Sequence, residues 1–308
     1  MVCILKIDDL TVTYGNKIAL DNISLEINSG DFIALLGSNG AGKSTFINSI
    51  LGLQEIKSGI ILYNSEMLSN KKQLFSCIGF TPQTSVMDYY TTVWDNVILG
   101  LYLAGKKGKE AEYLCQQALS IVGLLEKRNH LVESLSGGQL QRVQIARAIA
   151  HKPDIYILDE PTVGLDAESS ERFLSYLRSE SEKGKTIIIS SHDIQLLESY
   201  CSKILFLKNG KINFWGNISD FIDNDSYVVE ITFNTKLSEE DINWLEKYEI
   251  PIKIVDSLIC ILFVPKSKSL VEIIQDLSTL PEIKDISLKD KHLRDIYLEH
   301  VNDEVNND

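Results

Sequence analysis

Apolar and polar positions alternate in short runs through the first thirty residues, as in Leu10-Thr-Val-Thr-Tyr14 and Ile23-Ser-Leu25-Glu-Ile27. That period of two predicts antiparallel strands with one buried face. The run from Asp31 to Leu36 and the run Ile155-Tyr-Ile-Leu158 lack the alternation. They predict strands buried on both faces, as in a parallel sheet. Short strands are expected in 60–82. Residues 92–130 carry a helical period, with no Gly-Pro pair to interrupt it. Further on, the pattern predicts a helix over Ala167–Glu182, a strand over Thr186–Ser190 and a helix over Ile194–Cys201. Two strands follow, Lys203–Leu207 and Lys211–Trp215, around the hairpin signal Lys208-Asn209-Gly210.

Gly216–Asp225 is polar, and the pattern changes beyond it. Tyr227–Phe233 alternates as a strand. Ser238–Asp241 has the form of a capping box opening a helix to Tyr248. Ile252–Val255 and Leu258–Val264 are strands around an Asp256-Ser257 turn. Ser269–Glu272 caps a second helix, Ile283–Leu288 is a last strand, and Lys291–His300 a last helix. The order β-α-β-β-α-β is that of a ferredoxin-like split motif. Two domains are therefore expected, over 1–220 and 226–308, with 303–308 as an acidic tail.

Gly37-Ser38-Asn39-Gly40-Ala41-Gly42-Lys43-Ser44-Thr45 fits the P-loop spacing, and it stands between a predicted strand and a predicted helix. Glycines let the backbone N–H groups approach phosphate oxygens, and the helix adds its positive N-terminal end. Lys43 is expected at the β- and γ-phosphates and Ser44 on Mg²⁺. Leu135-Ser136-Gly137-Gly138-Gln139 reads as a second helix N-terminus, with Ser136 and Gln139 at capping-box spacing. Asp159 and Glu160 end a buried strand, where open α/β sheets place their ligands.

In this order the motifs resemble those of the ATP-binding subunits of ABC transporters, over about residues 1–220. By that resemblance the fold is an α/β P-loop nucleotide-binding domain with a RecA-like core, an antiparallel β subdomain and an α-helical subdomain, followed by a small α+β domain. Tyr14 matches the aromatic that stacks on adenine. Gln83, in Phe80-Thr-Pro-Gln83, matches the Q-loop glutamine, and Ser136, Gly137, Gly138 and Gln139 the signature motif. Asp159 and Glu160 match the Walker B pair, Gly164-Leu165-Asp166 the D-loop, and His192 the switch histidine. Ser38 stands where many relatives carry proline.

The resemblance implies ATP hydrolysis with Mg²⁺ held by Ser44, Gln83 and Asp159. Lys43, Gln83, Glu160 and His192 carry the chemistry, Glu160 polarising the attacking water. The implied site is composite, closed by Ser136 and Gly138 of a second copy in an ATP-bound dimer. The C-terminal segment, ending in Ile286–Leu298, resembles that of bacterial drug and peptide exporter ATPases, which pair with separate six-helix permeases. That implies export and a cytoplasmic, peripheral location at the membrane's inner face. A soluble ABC ATPase that moves no solute is the alternative. Met87–Leu99, with Tyr89, Tyr90 and Trp94, falls where the family receives a coupling helix of the permease.

Composition narrows this further. No run of eighteen apolar residues exists, so no membrane span is expected, and the N-terminus lacks signal-peptide form. Five cysteines stand singly without a C-x-x-C pair, which argues against a zinc site or a disulfide framework. The net charge of −13 argues against a nucleic-acid binder. Residues 226–308 hold nine Lys and Arg against seventeen Asp and Glu, a poor ligand for phosphate backbones or anionic lipid. His130, His151, His292 and His300 are expected at the surface, and Met67 and Met87 as gap-fillers or loop residues.

Overall fold

The computed structural model describes residues 2–64, 76–82, 86–191, 193–222, 226–246, 252–256, 258–265, 268–277, 282–289, 292–294 and 296–297. The chain divides into two compact units, Met1–Ile218 and Ser219–Asp308.

The first unit opens with β1 (Cys3–Tyr14) and β2 (Lys17–Asn28), an antiparallel pair that β4 (Ser58–Tyr63) joins in the order β2-β1-β4. A second sheet of six strands has the order β5-β6-β7-β3-β8-β9, from β3 (Phe32–Leu36), β5 (Ile78–Thr81), β6 (Ile155–Leu158), β7 (Thr186–Ser190), β8 (Lys203–Lys208) and β9 (Lys211–Asn217). Every pairing in it is parallel except β8 with β9. β3, β6 and β7 are buried along their whole length, as the unbroken apolar runs require. The β8–β9 turn places Asn209 and Gly210 at φ 50° and 75°, the left-handed pair of a type I′ hairpin.

Helix α1 (Lys43–Ile50) follows β3, and its buried Phe46, Ile47 and Ile50 share one core with both sheets. Leu5, Ile7 and Leu10 come from β1, and Ile33, Ile155, Ile157 and Ile188 from the parallel sheet. Burying a side chain the size of Phe46 contributes roughly 1.5–3 kcal/mol, and it anchors the loop that begins the helix.

The helical part is α2 (Val93–Leu103), α3 (Gly108–Ile121) and α4 (Gly137–Ile149). Thr92 and Asp95 form a capping box at the start of α2. α5 (Ala167–Glu182) is capped by Asp166, whose Oδ1 accepts the Ser169 N–H at 2.8 Å. α6 (Ile194–Glu198) ends before the expected Cys201. There the N–H groups of Tyr200 and Cys201 both turn onto the Leu197 carbonyl, and the chain turns into β8.

The second unit contains β10 (Ser226–Phe233), a helix α7 (Glu239–Glu246), β11 (Ile252–Asp256), β12 (Ile259–Pro265), a helix α8 (Leu270–Leu277) and β13 (Ile283–Lys289). The strand order is β11-β12-β10-β13 with all pairs antiparallel, a split β-α-β arrangement. Val229, Ile231, Phe233, Cys260, Leu262 and Val264 form its core with Leu245, Ile273 and Leu277 of the helices. Residues 247–250, Ser257, half of 291–300 and the tail 301–308 lie outside the described residues.

Candidate functional site

β6, β7 and β3 are neighbours in the parallel sheet, so their C-terminal ends open onto one edge. From β3 the chain enters 37–45, from β6 it enters Asp159-Glu160, and from β7 it reaches Ser190 and Ser191. This is the edge where open α/β sheets bind ligands. A cleft of about 570 Å³ lies there, lined by Ser38, Asn39, Gly40, Gly42, Lys43, Ser44, Thr45, Asp159 and Glu160. Tyr14 and the Asn209-Gly210 turn complete its rim.

Gly42 has φ 106°, and a Cβ there would meet the Ala19 carbonyl oxygen at 2.9 Å. No L side chain suits that position. The Phe46 N–H donates to the Gly42 carbonyl at 2.8 Å, so the helix starts directly from the loop. The Lys43 ammonium curls back over the loop, donating to the carbonyls of Gly37 at 2.6 Å and Ser38 at 3.2 Å. Burial pulls its pKa below that of a free lysine, while Glu160 and Asp159 work in the opposite direction. A phosphate chain would supply the negative charge that the burial lacks.

Asp159 and Glu160 are both buried, each 7% exposed. The Asp159 N–H donates to the Thr81 carbonyl at 3.1 Å, tying the end of β6 to β5. Glu160 adopts φ 50°, rare for a residue with a side chain. Gln141 of α4 donates to the carbonyls of Glu160 at 3.4 Å and Pro161 at 3.3 Å. Tyr14 is half-exposed at the cleft mouth and donates its hydroxyl to Gln54 at 2.8 Å.

Ser136 precedes the first residue of α4, and its N–H donates to Gln139 Oε1 at 3.2 Å. Gly137 and Gly138 form the first turn, and Gly138 packs against Gly164. None of Ser136, Gly137, Gly138 and Gln139 lines the cleft at Lys43 within this one chain. Gln83 and His192, both expected in the site, lie outside the described residues, as does Met67.

One expectation is corrected. His151 is half-buried, not a surface residue, and its Nε2 lies 3.2 Å from the Ile78 carbonyl. Burial beneath the end of α4 lowers its pKa. Among the described residues, His130 and His292 are exposed, and no cluster of His, Cys, Asp and Glu forms a metal cage. Mg²⁺ takes one or two protein oxygens and completes its shell with water and phosphate. The Ser44 hydroxyl and Asp159 carboxylate share the cleft and provide such a pair.

The residues that sequence reasoning missed are Gln141 and Ser190, which hold Glu160 from two sides. Their signal was position alone: Gln141 directly follows the Ser136–Leu140 segment, and Ser190 sits two residues before His192.

The profile of the ABC transporter family matches residues 20–163. The manganese transport system ATP-binding protein MntB of Bacillus subtilis is 38% identical over 216 residues, 68% of this chain and 85% of that protein. The methionine import ATP-binding protein MetN 2 of Pectobacterium atrosepticum is 36% identical over 211 residues, 67% of this chain and 62% of that protein. Among solved structures, a dimeric ATP-binding cassette in a post-hydrolysis state with ADP and Pi superimposes with TM-score 0.63 at 31% identity. That match covers 70% of this chain and 98% of the other.

Proposed function

The chain belongs to the family of ABC transporter ATP-binding proteins, and from that premise we propose that it is the ATP-hydrolysing subunit that powers a separate membrane permease. The observation that supports this best is the meeting of Lys43, Ser44, Asp159 and Glu160 in one cleft at the ends of adjacent parallel strands.

Phosphoryl transfer to water needs positioning and charge neutralisation more than covalent chemistry. Lys43 and the N–H groups of 37–45 hold the β- and γ-phosphates, and Tyr14 stacks on the base. Ser44, Asp159 and Gln83 hold Mg²⁺, which when bound neutralises charge on the phosphate oxygens. Glu160 orients the attacking water and takes up its proton, and His192 steadies the γ-phosphate. Ser136, Gly137, Gly138 and Gln139 are left for a second copy, whose helix N-terminus closes over the nucleotide in a two-fold dimer. The post-hydrolysis dimer among the structural relatives supports that assembly.

Among the described residues no helix is long and apolar enough to cross a membrane. In this reading membrane attachment runs through the permease, which meets the surface around Tyr89, Tyr90 and Trp94. The second unit is a non-catalytic interaction or regulatory domain. The finer reading, export of a drug, antibiotic or peptide, rests on the resemblance of that C-terminal segment. The relative named for methionine import favours the opposite direction.

The test is whether a neighbouring gene encodes six apolar spans of ~20 residues each, and what co-expression with such a protein does. Co-purification in detergent with raised ATP turnover supports the proposal. Turnover with no such partner, and none gained on adding membranes containing it, would favour the soluble ATPase.

A further inference from the structure

Ser190 ends β7 between β6 and β3, and it is fully buried at 0% exposure. Its Oγ donates to Asp159 Oδ1 at 2.6 Å and accepts the Glu160 N–H at 2.9 Å. A serine hydroxyl has a single proton to give. Here that proton goes to one carboxylate, and a lone pair goes to the peptide of the very next residue. Glu160 is the residue at φ 50°, a conformation that L side chains adopt only where the surroundings hold them. The far side of the same residue is held by Gln141, through the Glu160 carbonyl. A second clasp lies beside the first, where Thr162 Oγ1 and Ser191 Oγ are 3.3 Å apart. Alanine at position 190 would take the hydroxyl away from both Asp159 Oδ1 and the Glu160 N–H in a water-poor place.

We propose that Ser190 is a positioning residue for ATP hydrolysis, its one hydroxyl fixing both the Asp159 carboxylate and the left-handed turn that sets Glu160 in the cleft wall. It is fully buried and does not line the cleft, and it acts through its two acidic neighbours. The same strand end leads to His192, so the clasp links the segment carrying that histidine to the Asp159-Glu160 pair. The inference rests on Asp159 and Glu160 being the hydrolytic pair.

The experiment uses the full chain with Ser190→Ala, Ser190→Thr and, as a control on the underlying reading, Glu160→Gln. Steady-state kcat and KM for ATP are measured at saturating Mg²⁺. The Kd of a fluorescent ATP analogue is measured with Mg²⁺ and with EDTA, and melting temperatures confirm folding. Partners one step from a metal or reacting group typically change affinity or activity by about 10–100-fold. Ser190→Ala should lower kcat by about tenfold or more with KM within about threefold. It should shrink the Mg²⁺-dependent gain in nucleotide affinity while leaving the EDTA affinity at the wild-type value. Ser190→Thr, which keeps the hydroxyl, should restore kcat to within about threefold.

A Ser190→Ala protein with wild-type kcat and wild-type Mg²⁺ gain overturns the proposal, even if it melts earlier. So does a Ser190→Thr protein as impaired as Ser190→Ala. If Glu160→Gln itself turns over normally, the reading of Glu160 fails instead, whatever Ser190 does.

Discussion

Gly137 and Gly138 are neighbours in sequence and open the same helix, yet the structure predicts opposite responses to alanine. A Cβ at Gly137 would meet nothing within 4 Å. A Cβ at Gly138 would sit 2.2 Å from the Gly164 carbonyl oxygen, in the loop between Glu160 and Asp166. Carbon–oxygen contacts settle at about 3.3–3.6 Å, so one of the two backbones must retreat by roughly 1 Å. Neither is a flexible side-chain end, so the misfit becomes strain. Overpacking of this kind costs about 1–3 kcal/mol. For a unit of this size each kcal/mol shifts Tm by about 2–4 °C, so Gly138→Ala should melt about 2–12 °C early. Gly137→Ala gains helix propensity of up to ~1 kcal/mol and should melt unchanged or up to ~4 °C later. Thermal denaturation of the nucleotide-free chain, followed by far-UV circular dichroism, reads both variants. Identical melting of the two proteins, or an undisturbed Gly138→Ala, would refute the packing argument. In nucleotide titrations Gly138→Ala should still bind ATP at Lys43, because the signature helix does not line that cleft within the chain.

Lys43→Ala should weaken ATP binding at least tenfold by removing a charge held against phosphate, and unchanged affinity in a fluorescence titration would count against the cleft. Burial lowers the Lys43 pKa, so the folded protein sheds that proton before the unfolded chain does, and this contribution to stability rises as pH climbs toward 10.5. The same rise should be missing from the melting curves of Lys43→Met. Cys115, Cys201 and Cys260 are buried and Cys3 and Cys77 half-buried, so a thiol reagent should label two cysteines in the native chain and five after denaturation. Burial pushes the Cys115 thiol to about 12, which reinforces its inertness. Removing residues 226–308 should leave ATP affinity within about threefold while turnover or permease coupling changes, since every proposed phosphate-handling residue precedes Asp193. Loss of binding in a folded truncation would make the second unit part of the nucleotide site.

The elements that position the cleft were legible because their chemistry is local. β3 and β6 are unbroken apolar runs, and only strands buried on both faces need them. The P-loop spacing is a backbone requirement, visible at Gly42 as φ 106° and a Cβ position already filled. Asn209-Gly210 announced its hairpin by residue type. What could not be read was any contact that depends on strand order. Ser190 and Asp159 are far apart in sequence, and their 2.6 Å hydrogen bond exists because β7 lies next to β6. Gln141 reaches the Glu160 carbonyl only because the start of α4 packs beside the residues that follow β6. His151 looked like a surface residue because no partner pattern stands around it in the sequence, while the Ile78 carbonyl that holds it arrives from a distant strand. The left-handed φ of Glu160 had no sequence signal, since glutamate is not a residue chosen for that conformation.

The central claim is that Glu160 drives hydrolysis of an ATP held at Lys43. Glu160→Gln keeps the shape of the side chain and removes its capacity to take a proton. With purified full-length protein, phosphate release is measured beside nucleotide affinity under the same conditions. The account predicts that turnover falls by about 10² or more while ATP affinity stays at the wild-type value. Near-normal turnover in Glu160→Gln would contradict it.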